Sequence, residues 1–185
     1  MRLVRIAECP AVAWKNGGGT TQDIAVYPQD AGMDDFIWRL SSAQVAVPGV
    51  FSRFADVDRI IAILSGTLDL AIEGRQPVRL VPDSRPYSFP GDVTAAANPV
   101  CGRVVDLNLM LRRGYAQAEM IATSAGRIDI VSPMTIILAC RGGILRIGEA
   151  AFELCEGDAA IFDGPSENRV ILNAPSLIIY LEVAS

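Results

Sequence analysis

A chain of 185 residues, of which 51% are hydrophobic and 20% charged, is long enough to bury one substantial core or two small ones. Its 21 acidic and 16 basic residues give a net charge of -5, and no basic cluster stands out beyond Arg112 and Arg113, so a nucleic-acid partner is not expected. No apolar run is long enough to span a bilayer and the first ten residues lack the apolar stretch of a signal peptide, which predicts a cytoplasmic protein without membrane contact.

The chain contains no histidine, and this absence restricts its chemistry. It removes imidazole as a general base, as the partner of a nucleophilic Ser or Cys, and as the usual ligand of zinc, iron, copper or nickel. The cysteines are scattered without a C-x-x-C pair, as expected of reduced thiols in a cytoplasmic protein: Cys9, Cys101, Cys140 and Cys155. We therefore expect neither a metal nor another cofactor. The alternative is a hard cation held only by carboxylates, for which Glu153, Asp158 and Glu167 are the candidates, although scattered acids usually form a solvated surface.

The first informative segment is "WKNGGGTTQDI", residues 14–24, in which three glycines follow Lys15 and Asn16. A phosphate-binding loop is disfavoured, because the lysine precedes the glycines and residues 20–27 read as a strand rather than a helix. We interpret the glycines as a tight turn into a β-sheet that lets Lys15 and Asn16 approach a pocket. A plain surface turn is the alternative.

Spacing of two between apolar residues predicts a series of further strands. They are expected at residues 36–41, 59–64, 67–74, 78–81, 87–89 and 104–111. Ser65-Gly66 lies between the second and third of these strands and predicts a hairpin turn. The stretch "RRGYAQAEM" has some helical character but is short and ambiguous.

After about residue 115 the same pattern starts again. Each half contains a strand, a Gly-bearing turn and a second strand, followed by a Gly-Asp turn at Gly91-Asp92 or Gly157-Asp158. A degenerate repeat of this kind predicts an all-β bicupin, with cupin-like halves at residues 1–115 and 116–185.

Polar residues in the middle of two predicted strands indicate a pocket wall. In "VVDLNLMLRR", Asp106 and Asn108 share a face with Met110, although Asp and Asn are poor strand formers on a solvated face. Arg39 and Ser41 share a face of another strand, where the arginine can present its planar fork to a carboxylate. The alternatives are a solvated surface for Asp106 and Asn108, and an internal ion pair of Arg39 with Asp106.

The segments "WKNGGGTTQDI", "FIWRLSSAQV", "GVFSRF", "DRIIAILSG", "SFPGD" and "VVDLNLMLRRG" resemble, in the same order, the motifs of the HutD/Ves family. Two departures are Ala55-Asp56, where the family tends to have Pro-Gly, and Asp23, where Glu is usual. The resemblance implies a bicupin without metal-binding histidines, associated with histidine utilisation or stress responses. It carries over to these positions: Trp14, Lys15, Asn16, Arg39, Ser41, Ser52, Arg59, Asp106 and Asn108.

The resemblance and the residues together predict a regulatory protein that binds a small carboxylate such as formylglutamate or urocanate. Lys15 with Arg39 or Arg59 would supply the positive charge, and Ser52 and Asn108 would orient the ligand by hydrogen bonds.

Trp14 and Phe51 would supply the apolar walls of this site. Two other interpretations stay open. The protein is a metal-independent isomerase or lyase with Asp106 or Lys15 as the acid or base, or it is a dimerising adaptor with a vestigial pocket. The oligomeric state is also open, a homodimer included.

Overall fold

The computed structural model describes residues 1–15 and 17–184, and strands make up most of them. The strands are β1 Arg2–Val4, β2 Ala11–Ala13, β3 Gly19–Tyr27, β4 Trp38–Val45, β5 Gly49–Val50, β6 Val57–Ile72, β7 Val78–Leu80, β8 Tyr87–Pro90, β9 Ala95–Arg112, β10 Ala116–Thr123, β11 Gly126–Ile130, β12 Met134–Ala139, β13 Gly143–Ile147, β14 Ala150–Leu154, β15 Ala159–Asp163, β16 Ser166–Leu172 and β17 Ser176–Val183. A short 3-10 turn spans Ile6–Glu8. Within the described residues, no helix has the length and apolar character needed to cross a membrane.

The chain forms two compact units, which differ from the predicted halves at the N-terminal end. One unit, the N-terminal unit, runs from Pro10 to Tyr115. The other, the C-terminal unit, combines Met1–Cys9 with the residues from Ala116 onward. The first nine residues belong to the C-terminal unit because β1 pairs antiparallel with β15.

The N-terminal unit is built on a sheet in the order β2-β3-β4-β9-β6-β7, with β5 on β9 and β8 on β6. The predicted hairpin at Ser65-Gly66 is wrong, because β6 continues through it for 16 residues. The ladder with β9 shifts register at Ser65, as in a β-bulge. Gly66 has a φ of +85°, and a Cβ there would lie 2.8 Å from the carbonyl oxygen of Arg103. A short Gly-bearing link between two apolar runs can therefore form a bulge within one strand as well as a hairpin turn between two strands.

Apolar side chains fill the interior of the N-terminal unit. They include Val45, Ile61, Ile63, Leu68, Leu70, Ile72, Leu80, Phe89, Ala95, Ala97 and Val104, with Trp14, Phe51, Val78, Tyr87 and Val93 packed against them. Strands β4, β6 and β9 carry this core at the centre of the sheet.

The C-terminal unit contains two sheets, in the orders β1-β15-β12-β17-β10 and β11-β16-β13-β14. Its core is a cluster of apolar residues, among them Ile137, Leu145, Phe162 and Ile178. The buried acid of this unit, Asp158, is held by Arg5 and by backbone amides instead of facing that core. The stretch around residues 112–120 is not helical, because β10 pairs along its length with β17.

The glycine-rich segment ends in a close approach of two strands. The amide of Trp14 donates to the carbonyl oxygen of Gly19 at 2.9 Å, so the chain turns tightly between β2 and β3. A Cβ on Gly19 would clash with the carbonyl oxygen of Gln44 and lie 3.2 Å from the Trp14 ring. Glycine is thus required here by contact with β4, and the predicted turn into a sheet is confirmed.

We expect Gly19→Ala to lower the free energy of unfolding by about 1–3 kcal/mol, because the added methyl group must push β3 away from β4. Urea denaturation followed by fluorescence measures the change. Gly142→Ala is the control, since a Cβ at Gly142 would make an ordinary contact of 3.6 Å with the Leu154 carbonyl oxygen. Equal stability of the two variants would show that the strands can separate without cost.

Candidate functional site

Polar side chains gather on one face of the central strands of the N-terminal unit. Opposite each other across β4, β9 and β6 lie Arg39, Met110 and Arg59, then Ser41, Asn108 and Ile61, then Ala43, Asp106 and Ile63. Because successive side chains of a strand alternate between faces, all of these side chains share one face of the sheet. It is the face that carries Ile61 and Ile63 into the core. We call Arg39, Ser41, Arg59, Asp106 and Asn108 the polar cluster.

Arg59 is a buried cation, with 6% of its surface exposed. Its Nε donates to Asn108 Oδ1 at 3.1 Å, and its Cζ lies 4.7 Å from the Phe51 ring centroid and 5.2 Å from that of Phe89. Among the described residues, no carboxylate lies within ion-pair distance of it. Burial lowers the pKa of Arg59 to about 10, with Asp106 opposing the shift and Arg39 adding to it. The guanidinium stays protonated at neutral pH and keeps its charge.

Arg39 is partly buried and forms an ion pair with Asp23, whose side chain is 53% exposed. Its NH1 donates to Ser41 Oγ at 3.4 Å and lies 4.0 Å from Met110 Sδ. An internal ion pair was the alternative for Arg39, and the structure gives Asp23 as its partner in place of Asp106, the partner offered as an example. Arg39 stands opposite Met110, and Asp106 precedes Met110 by four residues in β9, about 13 Å at the rise of a strand.

Asp106 is almost fully buried, with 2% of its surface exposed. Its Oδ2 atom has no hydrogen-bond partner among the described residues. Burial raises the pKa of Asp106 to about 7, although the positive charge of Arg59 acts in the opposite direction. This carboxyl group is therefore close to half-protonated at neutral pH.

The remaining predicted site residues differ in whether they contact the polar cluster. Phe51 contacts Arg59, as described above, and Trp14 packs on the core while its Nε1 donates to Thr21 Oγ1 at 2.7 Å. Lys15 and Ser52 are exposed and make none of the contacts of the cluster. Asn16 lies outside the described residues.

Sequence reasoning missed two residues of the site, Asp23 and Phe89. Asp23 pairs with Arg39 because β3 shifts its register against β4 between Asp23 and Ala25. No local pattern in the sequence predicts that shift. Phe89 lies in the quoted motif "SFPGD" and pairs with Arg59 across β6 and β8. Asking which aromatic residue of the quoted motifs could pair with Arg59 would have identified Phe89.

The described residues contain no group of three His, Cys, Asp or Glu side chains placed to hold a metal ion. The chemistry available in the polar cluster is that of two guanidinium forks, a hydroxyl, an amide and one buried carboxyl group. Groups of these kinds can bind anions, donate hydrogen bonds and exchange a proton.

Two sheet-built units with this arrangement of strands define a protein of the cupin class. A cupin 2 conserved barrel domain protein from Leptotrichia buccalis superposes on 94% of the chain and 92% of its own length, with a TM-score of 0.58 and 9% identity. The chain belongs to the HutD family, whose model matches residues 6–179. The predicted bicupin fold and the resemblance to the HutD/Ves family are both confirmed.

Individual relatives agree with this assignment. Protein Ves of Citrobacter koseri is 30% identical over 83% of the chain and 76% of its own length. An uncharacterized 21.2 kDa protein in the hutC 3' region of Pseudomonas putida is 36% identical, but the match spans 60% of the chain and only 57% of that relative. The structure of HutD from Pseudomonas fluorescens SBW25 superposes on the whole chain and on 99% of its own length with a TM-score of 0.86, at 24% identity.

Proposed function

We propose that the protein binds a small carboxylate in the polar cluster of its N-terminal unit and acts as a regulatory component of histidine utilisation. The observation that carries this proposal is Arg59, a buried guanidinium without a carboxylate partner among the described residues. An unpaired charge in an apolar interior is costly, and a ligand carboxylate that binds at Arg59 would offset that cost. The planar fork of arginine fits a carboxylate in particular.

The surroundings of Arg59 suit this ligand. Arg39 of β4 and Arg59 of β6 stand on either side of Met110 of β9, and they donate to Ser41 and Asn108, which lie opposite each other in the next pair on the same face. Both side chains therefore extend in the same direction over the sheet. The rings of Phe51 and Phe89 border the Arg59 guanidinium and supply apolar walls.

The pathway is suggested by the relatives. The Pseudomonas putida relative is described by its position in the hutC 3' region, and the family itself is named HutD. Formylglutamate and urocanate are carboxylates of histidine breakdown and are our candidate ligands. A role in moderating the pathway, with no turnover of the ligand, agrees with a site made chiefly of anion-binding groups.

A thermal-shift and calorimetry experiment tests the proposal with chelator-treated protein and formate, N-formyl-L-glutamate or urocanate as probes. Formate is included as the smallest carboxylate, and the Pseudomonas fluorescens HutD structure is described for a formate condition. A ligand at 100 times its Kd stabilises the native state by about 2.7 kcal/mol, which raises the melting temperature by about 5–10 °C.

We expect Arg39→Ala to weaken binding about tenfold or more, because one charge-assisted contact is lost. Arg127→Ala is the matched control, since Arg127 is an exposed arginine paired with Asp129 in the C-terminal unit. If no carboxylate shifts the wild-type protein, the binding proposal fails and a dimerising adaptor becomes the better interpretation.

A second candidate function, a metal-independent isomerase or lyase, is favoured by one observation. Asp106 has a pKa of about 7 and lies on the same face as both arginines, so it is suited to accept or return a proton from a bound carboxylate compound. In an enzyme of this kind, Asp106→Asn would abolish turnover while binding survives. Proton exchange of a bound probe in D2O, followed by NMR, is the measurement.

A further inference from the structure

Binding of a carboxylate by the two arginines does not by itself require Asp106, the acidic residue of the polar cluster. It stands between Ala43 of β4 and Ile63 of β6, so neither of its direct neighbours across the ladder offers a donor. Its Oδ2 atom has no partner among the described residues, and the side chain is buried. The ionised form of this carboxyl group is therefore poorly solvated.

The groups that face Asp106 come from each neighbouring strand. Arg59 on β6 is the cation that favours the ionised form of Asp106. Arg39 on β4 is already paired with Asp23 of β3, and Tyr87 of β8 is the titratable residue opposite Ile61 on the same face. No carboxylate–guanidinium contact within 4.0 Å joins Asp106 to either arginine in the described part of the chain.

The net charge of the site is the sum of the charges of these groups. The two arginines contribute +2 and Asp23 contributes -1, which leaves +1 when Asp106 is protonated and zero when it is ionised. A single ligand carboxylate therefore balances the cluster only if Asp106 is protonated. With Asp106 ionised, a carboxylate bound at Arg59 would be a second negative charge on the buried face that carries Asp106, and like charges in a buried site disfavour one another.

We infer that the site binds one carboxylate together with one proton, and that Asp106 is the residue that holds the proton. This inference rests on the proposed carboxylate site and specifies its ligand class. The buried part of the ligand carries a single carboxylate, and any second carboxylate lies outside the polar cluster.

The inference fixes the direction of the pH dependence. Without ligand, burial raises the pKa of Asp106 to about 7, and an anion at Arg59 raises it further. Below about pH 7 the proton is already in place, so affinity is nearly constant. Above that pH each binding event must take up a proton, and affinity falls about tenfold per pH unit until the pKa of the liganded state is reached.

Isothermal titration calorimetry at about pH 8 measures the proton directly. The binding heat is compared in phosphate and Tris buffers, which differ in ionisation enthalpy. The probe is N-formyl-L-glutamate, whose carboxylates stay ionised at this pH, as the reference values for carboxyl groups show. We expect an uptake that approaches one proton per site at about pH 8 and falls towards zero at about pH 5.5.

Variants separate Asp106 from other titrating groups. Asp106→Asn is expected to bind the probe with an affinity that no longer changes between about pH 6 and pH 8, and without proton uptake. Asp83→Asn, a change at an exposed aspartate, is the control and should behave like wild type. If Asp106→Asn does not fold, the wild-type titration still tests the inference, because binding at about pH 8 without proton uptake overturns it.

The outcomes distinguish the inference from the function on which it rests. Uptake of a proton that disappears in Asp106→Asn supports the inference. Binding of the probe at both pH values without proton uptake overturns it and leaves the carboxylate site standing. If formate and N-formyl-L-glutamate bind at neither pH, the proposed function fails and the inference fails with it.

Discussion

Arg59→Met is expected to abolish carboxylate binding while leaving the unliganded protein at least as stable as wild type. In the part of the chain that the structure describes, Arg59 is buried without an ion-pair partner, and its principal polar contact is the bond from Nε to Asn108 Oδ1. Replacing a buried charge by an apolar side chain of similar length is often neutral or stabilising. We expect the free energy of unfolding to stay unchanged or to rise by up to about 2 kcal/mol, because the unpaired Asn108 oxygen offsets part of the gain.

Binding in this variant should fall about a hundredfold or more, since the charge that attracts the carboxylate is removed. Calorimetry with N-formyl-L-glutamate and urea denaturation of the same samples give both quantities. Arg79→Met serves as the control, because Arg79 is an exposed arginine paired with Asp69 in the same unit. A marked loss of stability in Arg59→Met would mean that the guanidinium supports the fold, and the argument for a ligand partner would lose its basis.

Asp158→Ala should lower the free energy of unfolding by about 2–4 kcal/mol, because a buried hydrogen-bond donor that loses its acceptor costs about 1–3 kcal/mol. The Asp158 side chain is 3% exposed and accepts from Arg5 NH1 at 2.7 Å, from the Ile6 amide at 3.0 Å and from the Cys155 amide at 2.9 Å. Because the Arg5 side chain is 37% exposed, we attribute most of the loss to the two backbone amides left without an acceptor.

The effect of Asp158→Ala should also depend on pH. Burial tends to raise the pKa of Asp158, but the bonds from Arg5, Cys155 and Ile6 outweigh it and lower the pKa below its ordinary value. Stability from a lowered carboxyl pKa is present above the unfolded value of about 3.9 and is lost as the pH falls through the folded value. Urea denaturation at about pH 7 and pH 3 measures the change.

The difference between wild type and Asp158→Ala should therefore shrink at the acidic pH. Asp163→Ala, a change at an exposed residue of β15, is the control. A difference that stays constant with pH would assign the loss to packing instead of to the carboxylate.

Local pattern predicted most strands and the shared face of Asp106 and Asn108, because alternation is set by the geometry of a single strand. It could not decide whether that face met water or a core, since polar residues in mid-strand are compatible with both. The structure decides it through Ile61 and Ile63 of β6, which lie opposite Asn108 and Asp106 and belong to the core.

The errors arose where distant parts of the chain meet. The partner of Arg39 depends on the register shift in β3 that brings Asp23 opposite Ser41. The continuity of β6 depends on β9, which pairs with it on both sides of Gly66. The register of these two ladders cannot be predicted from one segment of the sequence, because it is set by the pairing of two strands.

The pairing of β1 with β15 sets an order of events during synthesis on the ribosome. Val4 is translated early, but its partner Ala159 is added only after the whole N-terminal unit has been made. Residues 10–115 can fold as soon as they emerge, since domains generally fold as units during synthesis. The segment at residues 2–4 therefore waits for its partner strand, and the C-terminal unit is completed only after the N-terminal unit has been synthesised.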